Sequence, residues 1–281
     1  MNKKSDAKII EEYISFQCDN GNGSGTVKLY NRLINEFIEW LDKNGSKLEG
    51  LTRLDIQAYI NHLVSKGLCA ATIENKMAAI SSIVKFMGRI NLLQNIRKPE
   101  YRKNQNIAPK SLDKNERNRV LREIERSNNV RNIAIVYLLL YTGLRVSELV
   151  ALNRQDVIMG ERSGTVLVKK GKGDVERKVP LPSEARLHIK NYINKREDSK
   201  EALILSNYKE RISIRSVQKI LKKYDIHPHK LRHTYCRELV GAGIDISTVA
   251  ELAGHTDINI TRRYSKPSFI ELEGAIEKAF Y

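Results

Sequence analysis

Apolar residues recur every three or four positions along most of this chain, and the pattern changes to alternation only in a short central stretch. Tyr30, Leu33, Ile34, Phe37, Ile38 and Leu41 fall on one helical face that stops near Asn44-Gly45. Thr52-x-x-Asp55 has the form of a capping box and precedes Ile56, Tyr59, Ile60, Leu63 and Val64, with Gly67 as the stop. A further helix is predicted from about Ala70 to Met87 through Ile73, Met77, Ile80 and Val84. With an amphipathic N-terminal stretch around Glu11 and Glu12, these make a bundle of four short helices over residues 1–97.

Residues 98–110 change character. The run from Arg97 to Lys110 holds two prolines, many basic residues and little to bury, so it reads as a basic linker. The second domain, 111–281, opens with a helix from about Leu112 to Arg126 and a buried one from Ile133 to Tyr141. Thr165 to Lys169 and Val175 to Leu181 read as strands joined at Gly171-Lys172-Gly173. The remainder is predicted to be helical to Tyr281. The expected fold is mostly α with one small antiparallel sheet, an α+β mixture in two domains.

Composition alters this picture mainly through charge. The chain has 281 residues and a formal net charge of +16. The first hundred residues carry 14 Lys and Arg against 11 acidic residues, and the rest carry 35 against 22. Such an excess collects polyanions, either nucleic acid or an anionic membrane. The longest apolar run, Ile133 to Leu144, is about half the ~20 residues a bilayer crossing needs. The N-terminal residues do not lead into a signal-peptide core. Cys18, Cys69 and Cys236 are scattered without CxxC spacing, which suggests neither zinc nor a disulfide framework. A cytoplasmic protein facing DNA is the expectation, and no membrane partner.

Taken singly, the candidate functional residues all have ordinary structural accounts. Arg145 follows a glycine and could simply pair with Glu148; Lys172 could be an exposed turn lysine. His229 and Arg232, three apart on a helix, could be a structural pair, and Tyr264 could be a packed amphipath. The segment from Ile246 to Tyr264 also has the outline of a helix-turn-helix, which would make the protein a DNA-binding regulator without enzymatic activity. That reading explains the charge but leaves Arg145, Lys172, His229 and Arg232 without a reason.

Together the residues make chemical sense for breaking a phosphodiester. In-line attack needs a nucleophile, neutralisation of the non-bridging oxygens and a proton for the leaving oxygen. Arginine suits the second task because its planar fork donates two hydrogen bonds and keeps its charge. Two arginines can do what metal ions do in other phosphoryl-transfer enzymes, so neither cofactor nor metal is expected. A tyrosine of pKa ~10 is a poor nucleophile at neutral pH by about three units, or ~4 kcal/mol. Cationic neighbours and a proton acceptor would lower that barrier.

The ordered series Arg145 (in TGLRVSEL), Lys172 (in GKG), His229 and Arg232 (in HKLRHT), His255 (in AGH) and Tyr264 resembles the signature of the tyrosine recombinase, or phage integrase, family, above all its Xer branch. The resemblance covers about residues 110–270, and the preceding bundle and linker look like that family's SAM-like core-binding domain. Ala253 stands where the family often has Leu. The resemblance implies a site-specific recombinase whose two domains close as a C-shaped clamp on double-stranded DNA with inverted-repeat core sites. It implies that Tyr264 attacks a scissile phosphate and becomes joined to the 3′ end, that Arg145 and Arg232 grip the non-bridging oxygens, and that His255 adds a hydrogen bond. It further implies that Lys172 protonates the leaving 5′ oxygen, that His229 helps accept the tyrosine proton, and that Glu148 orients its neighbours. Strand exchange would pass through a Holliday junction on a tetramer, with a C-terminal helix at about 268–281 passed to the next protomer. Transposon-encoded cointegrate resolvases are the favoured subgroup over integrases, in a bacterial cytoplasm.

Overall fold

A computed structural model describes residues 3–99, 109–169, 176–265 and 269–280. The chain divides into two compact units, Met1–Lys103 and Asn104–Tyr281. Most of the basic linker expected at 98–110 lies outside the described residues.

The first unit comprises α1 (Lys3–Asp19), α2 (Ser24–Lys43), α3 (Arg53–Ser65) and α4 (Ala70–Phe86), followed by a 3-10 turn at Ile90–Leu93. The apolar faces of the sequence become its core, with Ile34, Phe37, Leu41, Ile56, Ile60, Met77 and Ile80 buried. α3 begins at the capping box, in which the Thr52 side chain accepts from the Asp55 N–H and the Asp55 carboxylate accepts from the Thr52 N–H. α1 is tied to α4 where the Tyr13 hydroxyl donates to Ser82 Oγ at 2.8 Å.

The second unit is built around α6 (Val130–Thr142), which follows α5 (Lys114–Arg126). α6 is apolar nearly all round and buried from Ile133 through Leu140, as such a helix must be. It packs against α8 (Ser183–Asn194) and α10 (Pro228–Gly241). Gly143 ends it at φ +61°, and a Cβ there would stand 2.3 Å from the Tyr235 ring, so the turn into Arg145 requires glycine. Then come α7 (Val146–Ala151), an antiparallel sheet of β1 (Val157–Met159), β2 (Gly164–Val168) and β3 (Arg177–Pro180) in that spatial order, α9 (Ile214–Lys222) against α6 and α7, and, after α10, α11 (Ile246–Ala253), which packs on α10 and on α12 (Ile258–Arg262), and α13 (Phe269–Phe280).

Three expectations need correction. β1 was not foreseen, because three residues are too few to alternate visibly. Residues 195–213 are not helical. They form an irregular segment that bridges back through Asn153↔Ala202 and Leu205↔Arg211, and Arg196 donates to the Ala202 and Leu203 carbonyls. The helix-turn-helix reading of 246–264 fails on length, since α12 spans five residues, too short to read a major groove. No helix among the described residues is long and apolar enough to cross a membrane.

Candidate active site

Arg145 enters the site as the N-cap of α7, placed there by the left-handed Gly143 turn. Its backbone N–H donates to Glu148 Oε2 at 2.7 Å, Nη1 donates to Glu148 Oε1 at 2.9 Å, and Nη2 donates to the Gly254 carbonyl at 2.8 Å. That last bond ties α7 to the turn before His255. The Arg145 side chain remains 30% exposed.

Glu148 receives a second arginine. Arg177, on β3, donates from Nη1 to Glu148 Oε1 at 3.0 Å, from Nη2 to Glu148 Oε2 at 2.8 Å and from Nε to the Leu252 carbonyl at 3.0 Å. Both partners of this ion pair are nearly inaccessible, 6% and 8% exposed at the side chain. Burial alone would raise the Glu148 carboxyl, but the hydrogen bonds from Arg177 and the Arg145 backbone, with both positive charges, hold it below the usual carboxylate range. Gly254 caps α11 at φ +68°, and a Cβ there would lie 2.6 Å from Arg177 Nη1. Arg177 therefore runs beneath the turn that presents His255.

Arg232 sits on α10 with 4% of its surface exposed, and its Nη1 donates to the Gly143 carbonyl at 2.5 Å. Burial, and then the nearby charge of Arg145, lowers its pKa. The His255 imidazole is pushed down to about 4 by burial first and then by the charges of Arg232 and Arg145. Its Nδ1 pairs with the buried Thr261 Oγ1 at 2.8 Å, which fixes the ring and anchors α12. Three residues on, Tyr264 closes that turn with its N–H on the Thr261 carbonyl.

Tyr264 is 8% exposed and packs with Cys236, Val249 and Ala253. Its hydroxyl pairs with His233 Nδ1 at 2.5 Å. His229, one turn earlier on α10, stacks on His233 with ring centroids 6.3 Å apart. The expected cationic lowering of the phenol is outweighed. Burial, helped by Cys236, raises the Tyr264 pKa, while Arg232 and Arg263 only oppose that rise.

The structure thus brings Arg145, Arg232, His229, His255, Glu148 and Tyr264 into one side-chain cluster of the second unit; Lys172 lies outside the described residues. The sequence reading missed Arg177, His233 and Thr261. Signals for two of them were present. Arg177 occupies an inward position in the Val175, Arg177, Val179, Leu181 alternation, and His233 lies four residues from His229 on the same helical face.

A mostly helical unit with a small sheet and a cluster of arginines, histidines and a late tyrosine defines a class, and the comparisons define it further. Residues 110–270 match the phage integrase family and residues 10–90 match the phage integrase N-terminal SAM-like domain. The chain belongs to the phage integrase family, as an Xer-like tyrosine recombinase, a site-specific recombination enzyme. It is 30% identical to a tyrosine recombinase XerA of Pyrococcus furiosus, over 97% of this chain and 94% of that one. It is 29% identical to the TnP I resolvase of Bacillus thuringiensis, over 96% and 99% of the two chains. Its fold is similar to that of a XerH site-specific recombinase bound to its difH substrate, at TM-score 0.69 and 21% identity over 89% of this chain and 78% of that one. A Tn1549 transposon integrase in complex with circular intermediate DNA is similar at TM-score 0.69 and 22% identity, over 96% and 99%.

Proposed function

We propose that the protein recombines double-stranded DNA at inverted-repeat core sites through a 3′-phosphotyrosyl link made by Tyr264. The observation that carries this reading is the meeting of Arg145, Arg232, His255 and Tyr264, drawn from four separate parts of the chain, in a single cluster. The Arg145 and Arg232 guanidinium groups hold the non-bridging oxygens and offset the charge that grows on them. His255, with Nδ1 committed to Thr261, offers its Nε2 edge to the same oxygens. His229 helps accept the phenolic proton and Lys172 supplies one to the leaving 5′ oxygen. Glu148 orients Arg145 and does not touch the phosphate.

The phosphotyrosyl bond conserves the energy of the phosphodiester, so rejoining needs no ATP, and arginines supply the charge that a metal would otherwise bring. Exchange proceeds through a Holliday junction on a tetramer, with the two domains clamping each duplex. α13 suits exchange between protomers because Ile276 and Phe280 are 61% and 78% exposed. Resolution of a transposon cointegrate is favoured over integration, and the resemblance to the Bacillus resolvase along nearly its whole length supports that choice. The setting is the bacterial cytoplasm. A nicked suicide substrate tests the chemistry: a covalent adduct forms with the native chain, survives EDTA, and is lost in Tyr264→Phe while DNA binding is kept. An adduct in Tyr264→Phe overturns the assignment.

A further inference from the structure

Resting on that reading, we propose that His233 is the positioning residue for the nucleophile, holding the Tyr264 phenol by accepting its hydrogen at Nδ1 so that the oxygen lone pairs remain for phosphorus. The hydroxyl lies 2.5 Å from Nδ1, beside its second partner Cys236, with the two rings tilted by 43° at 5.8 Å between centroids. It joins α10 to the segment after α12, 31 residues further along the chain. His229, the other histidine on that face of α10, stacks on the His233 ring, and so backs the residue that holds the phenol.

The direction of the hydrogen bond follows from the surroundings. A charged imidazole has two donors and no acceptor, so it would force the phenol oxygen to accept and would occupy a lone pair needed for attack. Burial, and then coulombic repulsion from the neighbouring His229, Arg232, His227 and Arg263, push the His233 imidazole down to about 4, and it is neutral at neutral pH. A neutral ring with Nδ1 unprotonated accepts from the phenol, and the oxygen keeps its lone pairs. The same low basicity makes His233 a poor final sink for the proton, so it aims the phenol in the resting site, and the O–H leaves Nδ1 for His229, the proposed acceptor, as the oxygen attacks phosphorus. A phenol left to rotate about its ring bonds would lose this aim, and small misplacements of a reacting atom cost about 100-fold in rate.

Substitutions at His233 separate three roles by their order. Asparagine places an acceptor oxygen near the Nδ1 position but cannot serve as a base; leucine fills the space with neither function. Single-turnover adduct formation on the nicked substrate is expected to fall about 100-fold in His233→Leu and to stay within about tenfold of the native rate in His233→Asn, with DNA binding kept in both. Leucine as fast as the native chain would mean a packing role, and asparagine as slow as leucine would mean that His233 is the base; either result overturns the proposal. Should either variant fold poorly, 15N spectra of the histidines in the native full-length chain decide the matter. They are expected to give His233 as the Nε2–H tautomer at neutral pH, with its Nδ1 resonance shifted by Tyr264→Phe, and an Nδ1–H tautomer would overturn the inference. Loss of the adduct in Tyr264→Phe, run alongside, keeps a failure here distinct from a failure of the Tyr264 assignment.

Discussion

Arg177 and Glu148 form a two-pronged ion pair in the interior of the second unit, at 3.0 and 2.8 Å, and Arg145 holds the same carboxylate from its outer side. One carboxylate thus organises two arginines with different duties. Arg145 keeps 30% of its side chain exposed, while Arg177 is spent on structure, joining β3 to α7 and, through the Leu252 carbonyl, to the end of α11. Replacing Arg177 with methionine leaves Glu148 buried with half its partners. We expect it to destabilise the chain by about 3 kcal/mol, since removing one partner of a buried pair strands the other charge. Urea unfolding measures this, and adduct formation should fall as well because Arg145 loses its support. An Arg177→Met variant as stable as the native chain would show that Glu148 is satisfied by Arg145 alone.

Gly254 gives a second test of the same framework. Its φ of +68° disfavours any side chain, and the Arg177 guanidinium fills the space a Cβ would take. Gly254→Ala is expected to cost about 1–2 kcal/mol for the left-handed backbone alone, and more through the displaced Arg177. The His255 turn moves with it, so cleavage should drop further than DNA binding does. Equal losses in both would place the effect in global stability.

Much of this was legible from residue order. α6 could be read from its apolar run, α3 from its capping box, and the Arg145 turn from the glycine before it, because each is a local pattern with a local cause. That Arg145, Arg232, His229, His255 and Tyr264 would cluster was legible because phosphodiester chemistry restricts which side chains can serve together, and the structure does bring these five together. Arg177 and His233 escaped for the opposite reason. Their partners, Glu148 and Tyr264, are 29 and 31 residues away, and only the folded chain brings them together. The segment at 195–213 escaped because Ala202, Leu203, Ile204 and Leu205 form an apolar run that suits a helix or a buried extended chain equally well.

Stability should depend on pH most through two of the three depressed histidines. His233 and His255 are both held near 4 in the folded chain, against an ordinary histidine value of about 6.5. Between those values the unfolded chain binds more protons than the folded one, so stability is full above the unfolded value and falls as pH drops toward 4. The slope is at most about 1.4 kcal/mol per pH unit for each histidine, reduced because both rings are partly exposed. Melting temperature followed from pH 7 to 4.5 should therefore decline, and His255→Gln should flatten the decline. An unchanged slope in that variant would remove His255 from the account.

α13 presents Ile276 and Phe280 to solvent, an arrangement that wastes apolar surface unless something covers it. If a neighbouring protomer covers it on DNA, truncation after Lys266 should leave binding of one protomer to a half-site within a few-fold of native. Assembly of the higher complexes should lose its cooperativity. Gel shifts on half-sites and full sites make the comparison. Weakened half-site binding with unaltered assembly would mean that the helix serves its own protomer.

Arg145 and Arg232, proposed to hold the same phosphate, should fail in different ways. Arg145 is part-exposed and holds Glu148, which keeps Arg177 after Arg145→Ala; the fold should survive and the loss should be chemical. Adduct formation is expected to fall by about 100- to 1000-fold, the usual cost of one lost donor to a developing charge, while affinity for the site changes little. Arg232 is buried and donates to the Gly143 carbonyl, the last residue but one before Arg145. Arg232→Ala therefore removes a proposed phosphate ligand, opens a cavity and leaves the carbonyl at the Arg145 turn without its donor, so chemistry and stability should fall together. Arg232→Lys restores charge but not the fork, and should recover stability before it recovers rate. The contrast is read from unfolding and single-turnover cleavage on the same samples. Parallel behaviour of the two alanine variants would mean that the buried Arg232 bond to Gly143 contributes nothing to the fold.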